Sequence, residues 1–171
     1  MRKIFLSLLV VFSTLSCMQA QKTSFEKEAL DNVKFATDKT DITFEKILEK
    51  YKGKTVVIDV WASWCSDCIK SFPKVKALQK DNPDVVFLFI SMDKTWENWI
   101  VGAEKHLLYG EHYMAKDGMK GVFGQSIDLD WIPRYMVVDA TGKIALYKAV
   151  EADDAKLLET LKKLQKQKNK R

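Results

Sequence analysis

Trp61-Ala62-Ser63-Trp64-Cys65-Ser66-Asp67-Cys68 is the stretch whose reading decides the fold. Before it, residues 55–61 form a short, β-branched and almost uniformly apolar run, the pattern of a strand buried on both faces. After it, over residues 68–80, Ile69, Phe72, Val75 and Leu78 share one broad face and Lys70, Lys74 and Lys76 fall elsewhere, which is a helical spacing. The stretch therefore lies at a strand–helix seam, with its first sulfur at the open end of a helix. Unpaired backbone N–H groups and the helix dipole stabilise an anion there. The thiolate is the reactive form of cysteine, so this position lowers the pKa of Cys65 and makes it a nucleophile. Cys68, one turn further in, is placed to attack a mixed disulfide on Cys65 and release the product. The chemistry implied is thiol–disulfide exchange.

Working towards the N-terminus, Asp59 interrupts the apolar strand six residues before Cys65. A carboxyl group there must point inward or lie on a poorly covered edge, and burial raises its pKa by favouring the neutral acid. Residues 41–50 place Ile42, Ile47 and Leu48 at near-helical spacing before Gly53, and residues 32–36 alternate like a short strand. Residues 21–31 are polar and read as a linker or a loosely docked arm. Residues 1–20 carry Arg2 and Lys3, an apolar run over 4–15, and then small or polar residues, which is the make-up of a secretory signal. Two exits are open: cleavage after Ala20, or a degenerate lipobox that would make Cys17 a lipidated N-terminus. Either way the expected location is the periplasm or cell envelope.

Towards the C-terminus, Pro73 removes a donor inside the helix, and Asn82-Pro83-Asp84 ends it. Residues 85–92 read as a second buried strand. Trp96, Trp99, Ile100, Ala103 and Leu107 form the stripe of an amphipathic helix, with both tryptophans assigned to the core. Residues 108–131 suggest a short strand at 112–114 and a helical piece at 119–123. Residues 134–139 and 143–147 flank Ala140-Thr141-Gly142 as a hairpin, and Leu157, Leu158, Leu161 and Leu164 mark a closing helix. The order of elements is that of an α/β fold, a central mixed β-sheet flanked by helices on both faces, in one domain over 32–171.

The 171 residues, 47% hydrophobic and 30% charged, suit one globular domain that needs no staples. Of three cysteines, Cys17 belongs to the export segment, leaving only Cys65 and Cys68 in the domain, so no disulfide framework is present to read. A zinc site would need further ligands, and His106 and His112 fall well downstream. No metal is expected. Losing Arg2 and Lys3 with the signal takes the net charge from +5 to +3. The basic tail over 162–171 reads as a solvated helix face rather than a nucleic-acid site.

The tryptophan-flanked Cys65-Ser66-Asp67-Cys68, with Ile132-Pro133 just before a strand, resembles the thioredoxin superfamily over residues 32–165. Export, Phe72-Pro73 after the second cysteine and the long insert before Ile132 make it similar to the periplasmic TlpA/ResA-type reductases. The resemblance implies a thioredoxin-like fold and a dithiol–disulfide oxidoreductase without cofactor, with protein thiols and disulfides as clients and an upstream electron donor. It implies that Asp59 accepts the proton of Cys68. It also implies a cis Ile132-Pro133 bond facing the disulfide, whose backbone pairs with an extended substrate, and Trp64 as an exposed flank of that groove, with Trp61 in the core. Ser71 is a departure, since many of these proteins carry glutamate there. Asp67 beside the thiolate, and isoleucine before the proline, favour the reductase direction. The rival readings are a non-catalytic binding module or metallochaperone on the same fold, and a peroxidase-like member.

Overall fold

The computed structural model describes residues 21–32, 34–37 and 40–170, so the expected signal and Cys17 lie outside the described residues. In chain order the elements are α1 (Lys27–Asn32), β1 (Lys34–Ala36), β2 (Asp41–Thr43), α2 (Phe44–Lys50), β3 (Val56–Trp61), α3 (Ser66–Asp81) and β4 (Val86–Ser91). They continue with α4 (Trp96–His106), β5 (Glu111–Ala115), α5 (Val122–Ser126), β6 (Arg134–Val138), β7 (Ile144–Ala149) and α6 (Ala155–Lys168). The described strands form one sheet in the order β2-β1-β5-β4-β3-β6-β7. β4 runs parallel to both β3 and β5, while β6, β7, β1 and β2 pair antiparallel with their neighbours. The expected α/β mixed sheet is therefore the one observed.

The centre of the sheet explains itself. Every residue of β3 is buried, so the strand is covered on both faces, as its continuous apolar run requires. Val57, Asp59 and Trp61 point to one face and the residues between them to the other. The Trp61 ring meets Phe72 of α3 edge-on at 5.6 Å, which puts α3 over the face that carries Asp59. β6 and β7 turn through 139–142, where the Asp139 carboxylate accepts from the N–H of Thr141 and Lys143, and Gly142 takes φ +87°. Among the described residues no helix is long and apolar enough to cross a membrane.

Four expectations need correction. The segment over 21–31 is not a loose arm. Phe25 and Ala29 are buried, Phe25 meets Phe44 edge-on at 4.8 Å, and the N–H of Ile144 donates to the carbonyl of Thr23. Phe44 and Phe123 complete that aromatic cluster with Phe35, joining the N-terminal elements to α2 and α5. The helix expected from Asp41 begins only at Phe44, because Thr43 caps it and the three residues before pair with β1. Trp96, assigned to the core, is 42% exposed at the first position of α4, while Trp99 one turn later is buried. The helical piece expected at 119–123 lies at Val122–Ser126, after Gly121.

Candidate active site

Cys65 occupies the N-cap of α3 in an extended conformation, and its sulfur accepts from the N–H of Cys68 at 3.1 Å. One of the helix-end donors expected to hold a thiolate therefore reaches this sulfur. Cys65 and Cys68 are joined as a disulfide, with Cα atoms 5.3 Å apart. Their environments differ: Cys65 keeps 6% of its surface exposed and Cys68 none. The Ile132 carbonyl oxygen lies 3.6 Å from the Cys65 sulfur, and the Ile132-Pro133 peptide is cis. Trp64 stands 59% exposed beside the pair and Trp61 is buried beneath it. Cys65, Cys68, Ile132 and Pro133, with Trp64 next in sequence, thus gather in one place. A cleft of about 460 Å³ opens alongside, with Asp67, Lys70, Ser71, Trp131, Pro133 and Val150 among its walls.

Asp59 is fully buried, and burial pushes its carboxyl group up to about 8. Among the described residues neither of its oxygens has a hydrogen-bond partner. On its flanks in the sheet, Phe89 of β4 is apolar, whereas Tyr135 of β6 is its register partner and projects to the same face. The Tyr135 hydroxyl lies 2.8 Å from Ser71 Oγ, and Ser71 Oγ donates to the Cys68 carbonyl oxygen at 2.8 Å. Burial, reinforced by the Asp59 charge, pushes the Tyr135 hydroxyl upward, so it stays protonated at neutral pH.

Three further residues shape the site and escaped the sequence reading. Asp93 accepts from the N–H and hydroxyl of Ser63 at 3.0 and 2.7 Å and from Ser91 Oγ at 2.7 Å, pinning the turn that leads into Trp64 and Cys65. Its only signal was an acid two residues beyond a buried strand. Arg134 is completely buried at the start of β6, where desolvation lowers its pKa. It donates to the carbonyls of Ile127 and Asp128 and pairs with Asp130, holding the loop that leads to Ile132. Tyr135 read as one more apolar strand residue.

Gly102 of α4 closes the other side of the Ser63 turn. A methyl group there would lie 2.7 Å from the Ser63 Cβ and 3.3 Å from the Trp61 ring. Gly102→Ala would gain roughly 1 kcal/mol of helix propensity. Overpacking costs roughly 1–3 kcal/mol, and neither neighbour can give way, since Ser63 is pinned by Asp93 and Trp61 is enclosed. Gly102→Ala is therefore expected to lower stability, seen as a lower urea midpoint. A raised midpoint would show that the turn yields.

A family model described as Thioredoxin-like matches residues 53–144. Thioredoxin from Geodia cydonium is 39% identical over 59 residues, which is 34% of this chain and 56% of that protein. The chain spans about half the length of the curated relatives it matches. Among solved structures, a proposed thiol-disulfide oxidoreductase from Bacteroides vulgatus is 27% identical with a TM-score of 0.65, covering 78% of this chain and 86% of that one. A thiol-disulfide oxidoreductase from Bacteroides fragilis NCTC 9343 has a TM-score of 0.64 at 21% identity, covering 77% of this chain and 95% of that one, a likeness of fold.

Proposed function

We propose, from the premise that this chain belongs to the thioredoxin-like family, that it is a thiol–disulfide oxidoreductase acting on protein disulfides in the reducing direction. The observation that carries this reading is the unequal pair: Cys65 at the rim on a helix N-terminus, Cys68 enclosed behind it with a buried acid on the sheet face below. In the reducing direction the Cys65 thiolate attacks a client disulfide, forming a Cys65–client bond and expelling the first client thiolate. Asp59 takes the proton from Cys68. The Cys68 thiolate then attacks the Cys65 sulfur, forming the Cys65–Cys68 bond and releasing the second client thiolate. Two electrons pass to the client, and an upstream dithiol donor returns the pair to its reduced form. Trp64, Ile132 and Pro133 flank the route by which an extended client segment would reach Cys65.

The direction rests on charge. Strong oxidants of this type owe their potential to a stabilised reduced form. Above about pH 8, where Asp59 is ionised, its carboxylate is a like charge beside a thiolate and disfavours that form. Asp67 acts in the same sense, although its pairing with Lys70 at 3.3 Å offsets part of its charge. The potential of the Cys65–Cys68 couple is therefore expected near about −270 mV, the thioredoxin value, rather than about −120 mV. The wild-type protein should accelerate insulin reduction by dithiothreitol. A rate equal to dithiothreitol alone would return the chain to the binding-module reading, and a potential near the oxidising value would reverse the direction. Export to the envelope is supported by the apolar run behind Arg2 and Lys3, with lipid attachment at Cys17 as the alternative exit. Cell fractionation tests it.

A further inference from the structure

When Asp59 takes the proton of Cys68 it becomes a buried neutral acid, and that proton has to leave before the next cycle. β4 closes one flank with Phe89, and Cys68 has no exposed surface. Towards β6 the wall is polar instead. Tyr135 stands beside Asp59 on the same sheet face, its hydroxyl contacts Ser71 Oγ at 2.8 Å, and Ser71 forms part of the wall of the cleft that holds Pro133 and Trp131. We propose that Tyr135 and Ser71 are the exit for this proton, from Asp59 to the cleft walled by Asp67, Trp131 and Pro133. The inference rests on the exchange reading above and adds two residues to it.

The steps balance without a co-reactant. The Asp59 acid gives its proton, through one bridging water, to the Tyr135 hydroxyl oxygen as that hydroxyl passes its own proton to Ser71 Oγ. Ser71 releases its hydrogen to water in the cleft or to the departing client sulfur. For that, Ser71 has only to swing its hydroxyl away from the Cys68 carbonyl oxygen, the acceptor it now uses at 2.8 Å. No bond other than O–H, and S–H on the client, is made or broken, and no electrons move. Two buried hydroxyls bonded to each other polarise one another, which suits a chain that hands on a proton. The charged groups that face Tyr135 from the loop after β7 are Glu151 and Asp153, and Lys74 holds both at 3.0 Å.

Tyr135→Phe and Ser71→Ala each break the route while keeping the shape of the wall. Over successive turnovers, each is expected to slow steady-state release of the client by about 10-fold, less than the 10²-fold or so for loss of the base itself. Three readouts separate a relay from packing. The solvent deuterium isotope effect on release should change in both variants. Ser71→Thr, which keeps the hydroxyl, should restore much of the rate. In an Asp59→Asn background neither substitution should slow release further. Normal release in both variants, or full additivity with Asp59→Asn, would overturn the relay. Wild-type protein that neither reduces insulin nor forms a Cys65–client bond would instead overturn the exchange reading, so the two failures are distinguishable.

Discussion

A Cys68→Ser variant is expected to accumulate client proteins as disulfides on Cys65, whereas Cys65→Ser should capture none and lose exchange activity to the uncatalysed background. The asymmetry follows from where the two sulfurs sit. Cys65 is at the rim, at the N-cap of α3, and accepts from a backbone N–H that would stabilise its thiolate. Cys68 is wholly enclosed, so a client sulfur cannot approach it in line. Without Cys68 the first attack still occurs, but nothing inside the protein can attack the mixed disulfide, and the client stays attached. Non-reducing gels of the two variants, after blocking free thiols in cells, read this out directly. Efficient capture by Cys65→Ser would reverse the order of attack.

The second large effect is expected at Asp59→Asn, and it has a kinetic and a thermodynamic side. Asparagine keeps the shape but takes no proton, so the resolving step should slow by about 10²-fold, the low end for loss of a general base. For stability, burial pushes the folded carboxyl group up to about 8 from its ordinary value of 3.8. The folded value is raised, so between the two the folded protein holds a proton that the unfolded chain has released. Stability is thus fully present below about pH 4 and falls as pH rises through about 8. At 1.36 kcal/mol per unit, the loss reaches roughly 6 kcal/mol. The asparagine carries no such slope. Urea unfolding of the oxidised protein should therefore show wild type and variant close together at low pH, with the variant pulling ahead towards pH 8. Parallel pH curves for the two proteins would make Asp59 a spectator.

What could be read from the sequence was whatever is governed by local pattern. β3 and β4 are continuous apolar runs because both faces are covered. The hairpin of β6 and β7 is punctuated by Asp139 and Gly142, and the Cys-x-x-Cys stood at a visible strand–helix seam. Asp59 was legible for the opposite reason, as the one polar residue in an apolar strand. What escaped depends on partners distant in sequence. Phe25 and Ala29 are two apolar residues in a polar stretch, and their burial has meaning only once Phe44 and Phe123 are beside them. Trp96 has correct helical spacing, yet the first turn of α4 leaves it exposed. Arg134 looked like a polar strand start. Its burial makes sense only with the carbonyls of Ile127 and Asp128 turned towards it. Tyr135 is identical in pattern to a core aromatic, and only its contact with Ser71 reveals the polar end.

The sheet order also says something about time. β1 has no partner nearby except β2, a strand of three residues, and its other neighbour is β5, where Phe35 pairs with Ala115. A two-stranded ribbon of that size does not hold by itself in water. In contrast, β3 and β4 are joined by the single helix α3, so the middle of the sheet can assemble from a continuous stretch of chain. Closing the long loop between β1 and β5 costs entropy that is recovered only after β5 is already in place against β4. The part of the domain that a ribosome makes first is therefore expected to lock last. Until it does, one edge of β5 and the rings of Phe35 and Phe44 are open to whatever else is nearby.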